Sequence, residues 1–415
     1  MENQFLFQRR NERALLWQGI IFFLGLAFID GNAVVSVFIS SMGGSLALAG
    51  LVSAIRVAPS TLMQLFVGIQ AGRMKNLPRA ITALMAVFYS LPLVMALVLA
   101  GGLANGPALL VFLVLYALLW AGDGCVLIGW YDLFGRLADP KRRGMILGWQ
   151  QLFGGALALL GSAAVGFVLR QEGLALTARY AILFGLAGLF LGGSAIAMGF
   201  VRDVPHRQLN QDNPIKHIAS FPALFRENGA FRRMTAVQAL QGVAVSALPL
   251  LILFSKQEFS FSLATTALLI PMQTAGSLAG GLVWGLVSRR LGNLWIIRLD
   301  QANIALVMAL AITAALTGWA WLAFPLAFLS GITFAAWMGF PNYVIDITTE
   351  HNRPQFLVMS SLVNLPFTFL PALMGSIAQS FGFLPVFAIC AAAAAASLAV
   401  SSSLAKNSGK NSVIA

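Results

Sequence analysis

Three ionisable residues interrupt otherwise apolar stretches of the chain: Asp30, Arg56 and Asp123. Taking a charge into hydrocarbon costs several kcal/mol unless it is paired or hydrated, so residues kept there either do chemistry or brace the fold. Two kinds of chemistry suit these types. A carboxyl that meets water can take up and release a proton, and a carboxylate facing a guanidinium can bind a polar solute. Asp123, flanked by Gly122 and Gly124, has no partner nearby in sequence and is the one placed for proton exchange. Asp30 lies about nine residues, roughly 14 Å at the helical rise, from the outer end of its stretch. Arg56 sits about seven or eight residues from the outer end of the next one. The short turn Met42–Leu48 between them makes the two stretches antiparallel neighbours. An Asp30–Arg56 ion pair is therefore expected, serving either a proton- and solute-binding centre or a static brace between two helices.

Positioning such residues requires long apolar elements, and the composition supplies them. The chain of 415 residues is 59% hydrophobic and 10% charged, with a mean hydropathy of +0.84, whereas soluble domains run near a quarter charged. No soluble core hides that much apolar surface, so the solvent is lipid. Twelve helices of about 20 residues need about 240 residues and leave room for short loops. Apolar spans fall near 14–40, 49–71, 79–101, 107–135, 144–169 and 177–201, then near 234–255, 262–287, 295–316, 319–346, 355–380 and 382–404. A polar stretch from Arg202 to His217 and an amphipathic piece to Arg233 separate the two sets. A spanning segment must satisfy its backbone internally, so each is an α-helix. The expected class is an all-α integral membrane protein with twelve transmembrane helices in two six-helix bundles, residues 1–201 and 234–415, joined by a cytoplasmic linker over 202–233.

The net charge of +12 is scattered between spans and reads as membrane orientation rather than a nucleic-acid footprint. With the N-terminus inside, 22 of the 26 Lys and Arg fall in cytoplasmic segments and three in outer loops. Both termini are expected in the cytoplasm. The absence of any Asn-x-Ser/Thr acceptor agrees with a bacterial inner membrane. The opening MENQFLFQRRNER enters the first span without a small-residue cleavage site, so no removable signal peptide is expected. The three histidines, His206, His217 and His351, all fall in loops, and Cys125 and Cys390 stand alone in apolar spans. That leaves no hydrolytic dyad, metal cluster or disulfide framework, and no phosphate-binding or dinucleotide loop is present. The reading is a transporter without an organic cofactor or metal, not an enzyme, with the proton as coupling ion.

Neutral polar residues form stripes. Arg56, Ser60 and Gln64 recur every fourth residue and so share one helix face, as do Ser360, Asn364 and Thr368. Thr266, Gln273 and Ser277 follow similar spacing, and Gln238 and Gln241 are three apart. Such residues either face a polar cavity or fasten helices to each other. Asp300 and Arg298 lie only a turn or two inside the ninth span and are expected as a snorkelling pair at the interface.

Loop motifs add a resemblance. Gly285-Leu-Val-Ser288-Arg289-Arg290-Leu-Gly292-Asn293, between spans 8 and 9, resembles the G-x-L-A-D-R-x-G-R/K loop of the major facilitator superfamily, and Gly68-Ile-Gln-Ala-Gly72-Arg73-Met-Lys75 is a weaker copy between spans 2 and 3. Trp130-Tyr-Asp132-Leu-Phe-Gly-Arg136 with Asp139 to Gly144 is similar to that family's second cytoplasmic signature. Asn342-Tyr343, Asp346 and Glu350 to Pro354 repeat it faintly in the second half. The family's loop aspartate is replaced by Gly72 in one copy and Arg289 in the other. A gate of Arg73, Asp132, Arg143, Arg289 and Arg290 is the expectation, with Asp132 and Asp139 either standing in for the missing carboxylate or only anchoring helix ends.

The resemblance implies two pseudo-symmetric bundles around a cavity lined by spans 1, 2, 4, 5, 7, 8, 10 and 11. It places Ser60, Gln64, Trp149, Gln238, Gln241, Gln273, Trp337 and Asn364 on cavity spans, and spans 3, 6 and 12 outside them as supports. It implies a monomeric, proton-coupled secondary transporter that moves a small organic solute by alternating access. A passive facilitator, a lipid or amphiphile translocator, and a non-transporting receptor or scaffold of the same fold stay open as alternatives. Deep charges of both signs suit amphiphilic, zwitterionic and cationic solutes alike.

Overall fold

The computed structural model describes residues 7–70, 76–138, 142–202, 225–226, 228–348, 353–402 and 404. Among these, eleven helical segments are long and apolar enough to cross a membrane. A twelfth, at the start, is interrupted. This first span, α1, runs over Gln8–Ala27, a π-helical turn at Gly31–Val35, and Ser36–Ser41. The remaining spans of the first half are α2 (Leu46–Gln70), α3 (Leu77–Phe88 and Leu91–Ala100), α4 (Asn105–Leu137), α5 (Arg143–Leu169) and α6 (Leu176–Gly199). The second half begins with α7 (Gly229–Ala244, a 3-10 turn Val245–Leu250, then Leu251–Glu258) and α8 (Leu263–Ala267 and Leu269–Leu291). It continues with α9 (Asn293–Thr317), α10 (Ala320–Leu322, Ala323–Phe334, the 3-10 turn Ala335–Met338 and Gly339–Ile347), α11 (Arg353–Asn364, the 3-10 turn Pro366–Phe369 and Leu370–Phe381) and α12 (Phe383–Ser401).

The helix interruptions have local causes. At Asp30 the backbone carbonyl accepts from both Val34 N (3.0 Å) and Val35 N (2.9 Å), while its own Oδ1 accepts from Ala33 N at 2.8 Å. The aspartate thereby caps the segment that restarts after it, the usual task of a side-chain oxygen at a helix start. In α7 and α11 a proline, Pro249 or Pro366, falls within the tight turn and removes a backbone donor from the ladder.

The two halves repeat one packing scheme. In the first, α1 lies against α5 and α6, α2 against α4, and α3 against α6; in the second, α7 lies against α11 and α12, α8 against α10, and α9 against α12. The halves meet through α2 with α11 and through α5 with α8, again an exchange of equivalent partners. Glycines set the closest approaches. A Cβ on Gly124 would fall on the Ser60 carbonyl, and one on Gly331 would fall on the Gln273 carbonyl. These are the same helix pair, α2–α4 and α8–α10, in the same register, so Asp123 and Ser330 occupy equivalent positions. Between the halves, Gly50 abuts the Pro371 carbonyl and Gly375 abuts the Leu46 carbonyl, a reciprocal seat of main chain on main chain.

Candidate functional site

The close approach at Gly124 places α2 and α4 side by side, and one turn along from it the Arg56 guanidinium lies over the indole of Trp120, 4.7 Å from the ring centroid. This is cation–π geometry. Tyr116, a further turn along α4, meets Trp120 edge-on at 6.0 Å and lies within electrostatic reach of both Arg56 and Asp30. Gly31 completes the packing: a Cβ there would stand 2.9 Å from Tyr116 Oη and 3.9 Å from Arg56 Cδ, so the main chain just after Asp30 runs against the arginine stem. On the other side, Asp123 Oδ1 accepts a 2.8 Å hydrogen bond from Tyr89 Oη, and Arg56 is within electrostatic reach of this carboxyl as well. The structure thus brings Asp30, Arg56 and Asp123 into one neighbourhood, Arg56 within electrostatic reach of Asp123 and packed against the main chain that follows Asp30.

The three charged side chains are half-buried rather than sealed. Their aromatic neighbours are enclosed, and Tyr116 Oη and Trp120 Nε1 are buried beside each other without hydrogen-bond geometry to any described residue. A buried donor left unmade costs free energy, so these two groups favour an acceptor brought from outside. The cluster is next to the second half: the π-turn of α1 touches the 3-10 turn of α7 and the helix α8.

The neutral residues separate into two groups. Gln64 donates to Ser60 Oγ at 3.1 Å, which keeps the stripe on one face of α2. Gln238 and Ser360 bond reciprocally at 3.2 and 3.1 Å, closing α7 onto α11, and Gln273 donates to Ser330 Oγ at 3.1 Å, closing α8 onto α10. Both glutamines are buried and serve as interhelix clamps in this structure. Trp337 is 56% exposed, within the 3-10 turn of α10, and Asn364 is exposed just before that of α11. Trp149 stacks on Phe153 at 5.1 Å and is half-exposed, but it lines a cavity of about 390 Å³ at the terminus-bearing end, with Arg9, Glu12, Arg13 and Arg142.

One expectation is corrected. Asp300 and Arg298 form no interfacial pair. Asp300 is 1% exposed, its Oδ2 accepts from Gln241 Nε2 at 2.8 Å, and its Oδ1 lies near Thr333 without hydrogen-bond geometry to any described group. Arg298 turns the other way, to the carbonyls of Ser401, Ser402 and Leu404, and over the Trp295 ring. The reason is lateral: at that level α9 is enclosed by α10 and α12, so a short distance from the helix end does not bring contact with headgroups. The neighbouring Gln301 is 0% exposed, and neither of its amide atoms has a partner among the described residues.

Of the expected gate, Arg73 and Asp139 lie outside the described residues, as do the side chains of Asp132 and Arg143. Arg289 and Arg290 are exposed in the last turn of α8. The loop motif of the second half engages its own signature: Ser288 donates to Asn293 Oδ1 (2.7 Å), and Asn293 donates to Asp346 (2.9 Å), with Gly292 taking the turn at φ +94°. At the equivalent end of the first half an ion pair that the sequence did not single out, Glu12 with Arg142 at 2.8 Å, ties α1 to α5. Also unforeseen were Tyr89, which comes from a span expected only to support, and Tyr116 and Trp120. The last two did leave a signal, because positions 116, 120 and 123 recur at helical spacing.

Comparison with known proteins agrees with this architecture. The profile of the Major Facilitator Superfamily matches residues 15–343. No curated protein matches the sequence. Among solved structures, a D-xylose-proton symporter superposes with TM-score 0.74 at 15% identity, covering 97% of this chain and 99% of the other. The nucleoside transporter NupG, as a mutant, gives 0.72 at 14% identity, covering 95% and 100%. A bacterial homologue of the iron transporter ferroportin, in its inward-facing state, gives 0.69 at 14% identity, covering 95% and 98%.

Proposed function

The chain belongs to the major facilitator superfamily and is a membrane transporter, and on that premise we propose that it carries a small polar organic solute by alternating access, with the proton as coupling ion. The observation that carries this reading is Arg56 laid over Trp120 within electrostatic reach of Asp123 and against the main chain after Asp30, beside two buried donors without hydrogen-bond geometry to any described residue. Asp123 exchanges the proton. When it is ionised it draws on Arg56, and when it is protonated Arg56 is left to Asp30 and to an acceptor group of the solute. Tyr116 Oη and Trp120 Nε1 complete the solute's contacts. Because the π-turn of α1 touches α7 and α8, a change of charge at Asp30 or Arg56 reaches the surface on which the halves move.

The protein works as a monomer in a bacterial inner membrane, with both termini cytoplasmic, as the 22-to-3 division of basic residues favours. The named contacts between the halves, Ser41 with Lys256, Gly50 with Pro371, Leu46 with Gly375 and Gly166 with Ala267, lie towards the far end of the spans. They suit a state closed on the outside.

The test is solute-driven pH change in proteoliposomes, using a solute first found by thermal-shift screening of zwitterionic and hydroxylated compounds. Wild type is expected to move protons with solute, and Asp123→Asn to lose the pH change while still equilibrating solute down its gradient. Unaltered coupling in that variant removes Asp123 from the mechanism, and solute uptake by wild type without any pH change makes the protein a facilitator.

A further inference from the structure

A second feature lies on the outer surface of the first half, away from the charged cluster. Between α1 and α6, at the terminus-bearing end, runs a groove of about 560 Å³. Its walls are apolar, with Trp17, Ile21 and Ile196 prominent, and two arginines, Arg10 and Arg13, close one end. Trp17 is 58% exposed and Ile196 70%, so both face whatever surrounds the protein.

We propose that this groove binds an anionic glycerophospholipid, with the phosphate held by Arg10 and Arg13 and one acyl chain lying along Trp17, Ile21 and Ile196. Four observations distinguish it from the rest of the lipid-facing surface. First, the cations are not neutralised among the described residues. A neighbouring carboxylate, Glu12, is buried and engaged by Arg142 at 2.8 Å. Among the described residues Arg10 donates only through Nε, to the Phe200 carbonyl at 3.1 Å, with its guanidinium 6.0 Å from the Phe200 ring centroid, so Nη1 and Nη2 keep their donors for an anion. Arg13 makes no hydrogen bond or ion pair with any described residue.

Second, the frame is set before any ligand arrives. Asn11 Nδ2 donates to the Arg202 carbonyl (2.7 Å) and Asn11 Oδ1 accepts from Arg202 N (2.9 Å), fastening the start of α1 to the end of α6. Third, the groove is concave where a side chain is missing: a Cβ on Gly193 would meet nothing within 4 Å. Fourth, the length is right. Eleven residues separate Arg10 from Ile21, roughly 16 Å of helix at the usual rise, and about 15 Å is the depth of one leaflet of the hydrocarbon. The cations then lie at the headgroup level and the indole of Trp17 just below it, the arrangement by which basic pockets and interfacial aromatics hold lipid.

The experiment is a lipid titration of the full-length, delipidated protein in detergent, followed by native mass spectrometry. The probes are phosphatidylglycerol, phosphatidylcholine and inorganic phosphate. Wild type is expected to bind phosphatidylglycerol in preference to phosphatidylcholine. The double variant Arg10→Gln/Arg13→Gln is expected to bind phosphatidylglycerol on the order of thirtyfold more weakly, from about 1 kcal/mol per arginine, and to lose the preference. Gly193→Leu projects into the groove from a position where a Cβ meets nothing within 4 Å, and is expected to weaken both lipids while leaving the unfolding temperature of the lipid-free protein unchanged. Equal binding of the two lipids by wild type overturns the proposal, and so does phosphatidylglycerol binding that survives the arginine substitutions. If inorganic phosphate protects as well as the lipid and Gly193→Leu has no effect, the arginines bind an anion alone and the acyl groove is wrong.

Discussion

The two halves use the same helix pair for different ends. Through the register that Gly124 and Gly331 set, Arg56 corresponds to Leu269, Tyr116 to Ala323, Trp120 to Ala327 and Asp123 to Ser330. A charged, aromatic cluster in the first half becomes small and apolar packing in the second, where Gln273 simply clamps Ser330. The backbone shows the reverse pattern. The helices α4 and α5 are continuous over 33 and 27 residues, while α10 and α11 are each broken by a 3-10 turn. Arg56 and Asp123 sit on unbroken helices and Asp30 at the π-turn of α1, whereas the bends of α10 and α11 sit among neutral residues. The second half keeps one buried acid, Asp300, off the α8–α10 pair and held by Gln241. A repeat that began with equal parts can thus divide its work, one half fixing the chemistry and the other supplying pliable walls.

Substitutions can break or sharpen this contrast. The largest separation is expected between the equivalent positions Asp123 and Ser330: Asp123→Asn abolishes solute-driven proton movement, whereas Ser330→Ala leaves it intact, both read by pH change in proteoliposomes. Next comes the shared register. Gly124→Ala and Gly331→Ala each drive a methyl into a backbone carbonyl and are each expected to lose about 1–3 kcal/mol. Gly281→Ala, which meets nothing within 4 Å, is expected to be neutral or stabilising. Strongly unequal losses at the two seats would show that the halves are not in the same register. A similar but more local effect is expected at Asp300. Replacement by Ala leaves the half-buried Gln241 amide unpaired and costs about 1–3 kcal/mol, while Asn keeps an acceptor and costs less, measured as the shift in thermal unfolding in detergent. An equal loss for both would mean that the negative charge, not the hydrogen bond, is what that site requires. The smallest is Trp120→Leu, which removes the face over which Arg56 lies and is expected to cost about 1–2 kcal/mol beyond lost packing. No excess over Phe112→Leu on the same helix would deny the cation–π contact any weight.

Much of this was legible in the chain. The spans announce themselves because lipid demands an uninterrupted apolar length, and the stripe of Arg56, Ser60 and Gln64 follows from helical period alone. The loop motif after α8 marked one end of the second half, while its copy after α2 falls largely outside the described residues. What escaped depends on who stands beside a helix. Gln238 and Gln273 are as polar as any cavity residue, yet each meets a serine on the neighbouring span. Asp300 is near a helix end in sequence and enclosed in space, and depth along an axis says nothing about enclosure around it. Asp30 carried a sign that charge-based reasoning passed over: an aspartate before glycine and two β-branched residues is also a cap for a helix that starts again.

The seat formed by Gly50 on Pro371 and Gly375 on Leu46 has a mechanical corollary. Where two surfaces meet through bare peptide, there are no rotamers to melt on parting and none to reassemble on return, so the joint can cycle many times with little memory of each passage. Its tolerance is correspondingly tight, and a single added methyl acts there as a wedge. Gly50→Ala should therefore spare the fold of either bundle and instead hold the outer doorway ajar.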